Sequence, residues 1–260
     1  MRIGYLGFGE MGSALAEGFA RRCDEVRRGE TEQYAWAPHA DKLRRRAEEI
    51  PVRACASAEE LARVSDMIVL ACKPHQVEEA LRGLDLAGKA LVSIVNLWTH
   101  AALKRLLAET RVQCIMPNTP VKAGHGTVLL AEENDLTAAE RQTLVRLLGS
   151  VARVVELPEE KFAAAGAISG CGPAFLYMVV EALGDAGVKN GLSRRMAYEL
   201  AAGTLIGAGE MVLADPGAHP GALKDAVCSP GGTTIRGVAA LEEAGMRSAF
   251  CKAVDATLTR

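Results

Sequence analysis

Aromatic residues are scarce in this chain: Phe, Tyr and Trp together make up 4% of its 260 residues. Alanine and glycine are abundant in their place, which points to helices packed close together. Neither sign of charge is in excess, with 30 Lys and Arg against 32 Asp and Glu and a formal net charge of −2. That balance leaves no broad basic field for nucleic acid. The short basic clusters Arg21-Arg22, Arg27-Arg28 and Arg44-Arg45-Arg46 sit among acids and read as solvated faces. There is no Cys-x-x-Cys pair, and the seven cysteines (23, 55, 72, 114, 171, 228 and 251) are scattered and odd in number. A disulfide framework and a metal site are both disfavoured, and a reducing cytoplasm is favoured. No apolar run approaches the length of a membrane span, and the opening Met-Arg-Ile-Gly-Tyr-Leu-Gly reads as a strand rather than a signal peptide. The expectation is a soluble cytoplasmic protein that binds neither nucleic acid nor membrane.

What is present is an ordinary globular balance, 49% apolar and 24% charged, with length for one large domain or two modest ones. The first half alternates. Strands are expected at Arg2–Leu6, Gln33–Ala37, Met67–Cys72, Ala90–Val95, Val112–Met116, Gly126–Ala131 and Ala152–Glu156. Helices are expected from the glycine turn to Arg22 and over Asp41–Glu49, His75–Leu84, Thr99–Ala108 and Thr137–Leu148. Such alternation implies a mostly parallel sheet with helices on both faces. In that setting Gly7-Phe8-Gly9-Glu10-Met11-Gly12, after the first strand and before a helix, reads as a dinucleotide-binding fingerprint. Gly7 makes the tight turn, Gly9 admits a pyrophosphate, and Gly12 permits close helix–strand packing. Glu10 and Met11 belong to the same cofactor-binding turn.

The end of the second strand bears on which dinucleotide binds. An NAD enzyme usually places a carboxylate there, on the ribose 2′-hydroxyl. Here Trp36-Ala37-Pro38-His39-Ala40 carries no acid, and Asp41 belongs to the next helix. Ala37 and Pro38 would line the adenosine ribose, and His39 and Lys42 fit a phosphate or a plain surface equally well. The absence favours NADPH, with NADH as the alternative.

After Pro158 the strand signals stop. Helices are expected over Glu159–Gly166, from the flexible elbow Ser169-Gly170-Cys171-Gly172-Pro173 to about Ala186, from a Ser193 cap to Leu213, over Gly231–Ala244, and over Met246–Leu258. Two of these are apolar on most faces, which in so small a domain favours a shared interface and a homo-oligomer, with a tightly packed monomeric bundle as the alternative. The expected architecture is α/β, a Rossmann-type dinucleotide-binding domain over 1–157 followed by an all-helical dimerisation and substrate domain over 158–260.

Ser229-Pro230-Gly231-Gly232-Thr233-Thr234 opens one of the late helices. Taken alone it fits an anion nest of backbone N–H groups or a tight loop with a Thr N-cap. Its neighbourhood is more specific. Gly7–Gly12, Lys73-Pro74, Met116-Pro117-Asn118-Thr119-Pro120, Ser169–Ala174 and above all Leu223–Ile235 together resemble pyrroline-5-carboxylate reductase over essentially the full length. The resemblance implies hydride transfer from NAD(P)H to the C=N carbon of 1-pyrroline-5-carboxylate, giving L-proline. It places Ser229, Gly231, Gly232 and Thr233 on the substrate carboxylate and Thr234 on the ring nitrogen. It also places Lys73 and Pro74 beside the cofactor ribose and Asn118 near the nicotinamide. His75 and His125 have no partner that suggests acid–base work.

One stretch departs from the resemblance: where small Ala-Gly-like residues usually follow the strand Leu91–Val95, this chain has Asn96-Leu97-Trp98. Other readings weigh against this background. A 3-hydroxyacid dehydrogenase of the same architecture would call for a lysine four residues after Gly172, where Leu176 stands. A reductase of a related cyclic imino acid and a non-catalytic NADP-binding regulatory homologue remain open.

Overall fold

The computed structural model describes residues 1–259. Its chain forms two compact units, Met1–Gly170 and Cys171 onward. The first is built on eight strands: β1 (Arg2–Leu6), β2 (Glu32–Trp36), β3 (Arg53–Ala54), β4 (Met67–Leu70), β5 (Ala90–Ser93), β6 (Arg111–Pro117), β7 (Gly126–Asn134) and β8 (Ala152–Leu157). They lie in the order β3-β2-β1-β4-β5-β6-β7-β8. Every pair is parallel except β6 with β7, so the sheet is mostly parallel, as the alternating pattern implies. The order reverses between β1 and β4, the switch point outside which ligands of such sheets bind.

Both faces of the sheet are covered, which is why the strands read as continuous apolar runs. Ile3, Tyr5, Val69 and Val92 pack on one face with Leu15 and Phe19 of the helix Glu10–Arg22. Leu6, Ile68, Leu70 and Leu91 pack on the other with Leu61 and Leu103. Tyr5 is fully buried, its hydroxyl donates to Gln33 Oε1 at 2.7 Å, and burial raises its pKa well above the ordinary value.

Several expectations are corrected. The segment expected as one helix, His75–Leu84, is a 3₁₀ turn over Pro74–Gln76 followed by a short helix, Val77–Leu81, because Pro74 sets the entry and Gly83 leaves it at φ +75°. The two-residue strand β3 and the helices Asp24–Arg27 and Pro220–Ala226 carry too little apolar periodicity to be read in advance, whereas the helix Ala58–Val64, with its Ser57 cap and buried Ala58, Leu61 and Ala62, carries the signal and is absent from the expected elements. The expected elbow is not a flexible loop: Gly170 and Cys171 both hold right-handed helical angles. The helical stretch Glu159–Lys189, with a mean hydropathy of 1.6 and only 6% of its most apolar window buried, is by length and composition long and apolar enough to cross a membrane. That overturns the expectation that no run approaches such a length.

In the second unit the helices Gly172–Lys189 and Arg194–Ala214 pair side by side. Ser193 caps the second of them, accepting from the Met196 N–H at 3.3 Å. A Cβ on Gly184 would fall 2.3 Å from the Tyr198 ring, so the pair packs only with glycine there. Their outer faces stay open. Leu176, Tyr177, Met178, Met196, Leu200 and Ile206 are all exposed. The shorter helices Thr233–Glu243 and Met246–Leu258 complete the unit.

Candidate functional site

The glycine turn lies at the switch point, and its backbone explains each glycine. Gly7 has φ +95°, and a Cβ there would sit 2.8 Å from the backbone of Ala71 and Cys72. No other residue type fits that geometry. A Cβ on Gly12 would lie 3.0 Å from the Gly7 carbonyl oxygen, so the helix start is held hard against the turn. At Gly9 a Cβ would stand in open space. Gly9 is also the N-cap of Glu10–Arg22, and no side chain caps that end. The first-turn N–H groups therefore face a clear approach, which fits a pyrophosphate. A dinucleotide matches the residues present.

One member of this turn escaped the sequence reading. Arg46, from the helix Ala40–Glu49, donates to the Phe8 carbonyl at 3.1 Å and to Ser13 Oγ at 2.8 Å, and it pairs with Glu10. It is therefore no solvated-face residue but a brace on the loop. The arginine run carried no signal separating it from Arg44 and Arg45. Beside it, at the end of β2, Ala37 is half-buried and Pro38, His39 and Lys42 are exposed, with no carboxylate on the strand end.

At the ends of the next strands, Lys73 is exposed, and its N–H donates to Gln76 Oε1 at 3.2 Å. Burial pushes the neighbouring Cys72 thiol up to about 11, so it is no thiolate nucleophile at neutral pH. The Trp98 indole N–H donates to the Pro74 carbonyl at 2.9 Å, joining the loops that follow β4 and β5. Asn118 is 8% exposed and both ends of its amide are engaged. Its nitrogen donates to the Ser169 carbonyl at 2.9 Å, and its oxygen accepts from the Thr127 N–H at 2.8 Å. The side chain thus ties the chain ahead of the turn Thr119–Ala123 to Thr127 of β7 and to Ser169. His75 and His125 are exposed.

In the second unit, Gly231 takes φ +68°, and the Gly232 N–H donates to the Ser229 carbonyl at 3.0 Å. Helix Thr233–Glu243 begins with Gly232 as N-cap and no side-chain cap. The Thr-capped alternative is therefore not what forms. Thr233 and Thr234 sit in the first turn, both exposed, with Ser229 exposed before them. Uncapped N–H groups and three hydroxyls gather at one helix end, an arrangement suited to a carboxylate. The position where a dehydrogenase lysine would stand is Leu176, on the helix Gly172–Lys189. Among the described residues no cluster of His, Cys, Asp or Glu is arranged to hold a metal ion.

Comparison with known proteins agrees over the whole length. The family model for pyrroline-5-carboxylate reductase dimerisation matches residues 159–260, and that for NADP oxidoreductase, coenzyme F420-dependent, matches residues 2–97. The pyrroline-5-carboxylate reductase of Treponema pallidum is 41% identical, covering 100% of this chain and 99% of the relative. That of Methanosarcina acetivorans is 35% identical over 97% of this chain and 94% of its own length. The crystal structure of Plasmodium falciparum pyrroline carboxylate reductase with NADP bound superposes with a TM-score of 0.85 at 32% identity, covering 99% of this chain and 95% of that one. A Mycobacterium tuberculosis 3-hydroxyisobutyrate dehydrogenase, at 12% identity and a TM-score of 0.51, shares the fold alone. With an uncapped glycine turn at the switch point, an uncapped Gly-Gly-Thr-Thr helix start and relatives matched end to end, the chain belongs to the pyrroline-5-carboxylate reductase family.

Proposed function

We propose that this chain reduces 1-pyrroline-5-carboxylate to L-proline with NAD(P)H, the final step of proline biosynthesis. The observation that carries the reading is the Ser229–Thr234 turn. It lies in the segment matched by the family's dimerisation model and opens a helix with no side-chain cap.

A protonated cyclic imine is already electrophilic, so the chain needs no metal and no strong acid. Its task is to hold a carboxylate, to orient the ring and to keep water out. Ser229 Oγ and the N–H groups of Gly231 and Thr233 take the carboxylate, while Gly232 shapes the turn, its own N–H donating to the Ser229 carbonyl. The Thr234 hydroxyl holds the ring nitrogen, so the C=N carbon presents a fixed face. The nicotinamide, when bound, supplies the hydride to that carbon. As the C=N π electrons pass to nitrogen, the positive charge is discharged, and the ring N–H remains bonded to Thr234 Oγ1.

In the first unit, Gly7, Gly9, Glu10, Met11 and Gly12 hold the pyrophosphate, braced by Arg46. Ala37 and Pro38 line the adenosine ribose, and Lys73 and Pro74 the other ribose. Asn118 acts by shaping the turn after β6, since its amide is already engaged within the chain. NADPH is the preferred cofactor: no carboxylate stands at the end of β2 to repel a 2′-phosphate, and His39 and Lys42 are exposed nearby. Cofactor binding is assigned to residues 1–157, and dimerisation and substrate binding to 158–260. The open apolar faces of Gly172–Lys189 and Arg194–Ala214 support a homo-oligomer built on these helices. Seven free cysteines suit a cytoplasmic location.

Purified protein given 1-pyrroline-5-carboxylate and either NADPH or NADH is expected to consume nicotinamide absorbance, faster with NADPH. No turnover with either cofactor would refute the assignment. Turnover only of a six-membered cyclic imine would change the substrate and leave the chemistry as argued.

A further inference from the structure

The turn after β5 holds a residue in the wrong conformation for its type. Leu97 has φ +71°, the one non-glycine residue with positive φ among the described residues. A leucine there costs about 1–2 kcal/mol of backbone strain. Its side chain is also 66% exposed, so burial within the chain does not offset the strain. Glycine or asparagine would make the same turn more cheaply.

The surroundings nevertheless fix this conformation from several directions. The Leu97 N–H donates to Asn96 Oδ1 at 2.9 Å, and the Trp98 indole N–H donates to the Pro74 carbonyl at 2.9 Å. Cys114 Sγ donates to the Trp98 carbonyl at 3.6 Å, and Thr99 Oγ1 accepts from the Ala102 N–H at 3.2 Å. A strained turn so firmly tied presents its side chain in one place. That place borders a cavity of about 170 Å³ at the carboxyl ends of β5 and β6, lined also by Trp98, Met116 and Phe162.

Position supplies the ligand. The adenosine half of a dinucleotide on the Gly7–Gly12 turn is directed toward the end of β2. Its other half must then run the opposite way, across the ends of β4 and β5. β5 lies two strand spacings from β1, about 10 Å. We infer that Leu97 is a specificity-determining residue that packs its side chain against the nicotinamide end of the cofactor, held in the left-handed conformation by the Trp98–Pro74 tie. The inference rests on the dinucleotide reading given above. It assigns the Asn96-Leu97-Trp98 departure a role: where the resemblance has small residues, an apolar side chain is here set against the cofactor.

The test is direct binding to the full-length protein, with NADPH and with 2′-phospho-ADP-ribose, which lacks the nicotinamide. Leu97→Ala keeps the backbone demand and removes the side chain, Leu97→Gly removes both, and Leu97→Met restores apolar bulk. Both small variants are expected to bind NADPH about three- to thirtyfold more weakly, the range for losing one partly buried apolar contact. 2′-Phospho-ADP-ribose should bind all forms alike, and Leu97→Met should recover most of the NADPH affinity. Unchanged or tighter NADPH binding by Leu97→Ala would overturn the inference. So would an equal loss for both probes, since that would mean damage to the turn rather than loss of a contact. Failure of the parent protein to bind NADPH at all would instead remove the dinucleotide reading beneath it.

Discussion

The two units dispose of their apolar residues in opposite ways. In the first, Leu70, Leu91, Val92 and Val112 are fully buried between sheet and helices. In the second, a pair of long helices leaves Met178 68% exposed and Leu200 56% exposed, and only Gly184, Ala197 and Ala201 on that pair are buried. The same apolar composition therefore means two different things. Within the sheet it makes a core that one chain completes alone. On paired helices it lies on open faces, and contiguous exposed apolar surface is the kind that marks association.

The comparison breaks most visibly if that face is charged. The double variant Met178→Glu with Leu200→Glu should reduce the assembly to monomer in light scattering at micromolar concentration, because two unpaired carboxylates cannot be desolvated in an apolar contact. An unchanged mass would show that the face is not the interface. Leu91→Ala in the first unit should behave differently. It should cost about 2–5 kcal/mol in denaturant unfolding, the range for a buried leucine deletion, while leaving the oligomer mass unchanged. A loss of mass there would mean that the two units do not divide core and interface as argued.

Thr234→Ala sharpens the contrast from the side of chemistry. Thr234 is exposed at a helix start, so its removal should leave unfolding almost untouched. It should lower kcat/KM by about ten- to a thousandfold, as expected for removing one oriented hydrogen bond to the ring nitrogen. An unaltered rate would take Thr234 out of the reaction.

How much of this was legible in the sequence differs between the units for a physical reason. Strands buried on both faces announce themselves as apolar runs, so β1, β4, β5 and β6 stood out. A two-residue strand such as β3 has no periodicity to detect. The glycine turn was readable because Gly7, Gly9 and Gly12 each answer a backbone demand that no other residue meets. Arg46 was not, because a long side chain reaching back to Phe8 and Ser13 leaves no local trace in an arginine run. Asn118 is placed near the nicotinamide by resemblance alone; its bonds to Ser169 and Thr127, 51 and 9 residues away along the chain, leave no trace in the local sequence. The left-handed backbone at Leu97 was equally hidden, since a leucine codes for nothing of the kind.

The smallest expected effect concerns pH and belongs to the first unit alone. Arg111 grips Glu140 with two bonds, Nε to Oε2 at 2.8 Å and Nη2 to Oε1 at 2.6 Å, while Thr137 adds its N–H at 2.9 Å and its hydroxyl at 2.8 Å. These contacts, Arg111 foremost, lower the Glu140 carboxyl from its ordinary 4.5 to about 2. A carboxyl depressed in the folded state binds fewer protons than when unfolded. Its contribution is thus fully present above pH 4.5 and is lost as the pH falls toward 2. With both side chains partly open to solvent, 30% for Arg111 and 23% for Glu140, the contribution is discounted to about 1–2 kcal/mol. Glu140→Gln keeps a residue type able to complete the capping box but removes the charge. It should lower stability by about that amount at pH 7, and the gap to the parent should close as both are titrated from pH 5 to pH 2. A gap that stayed constant over that range would show that packing, not the ionised pair with Arg111, carries the effect. An assembly held only through the second unit should keep its mass in both forms at pH 7, because the pair ties β6 to the helix Ala138–Gly149 within the first.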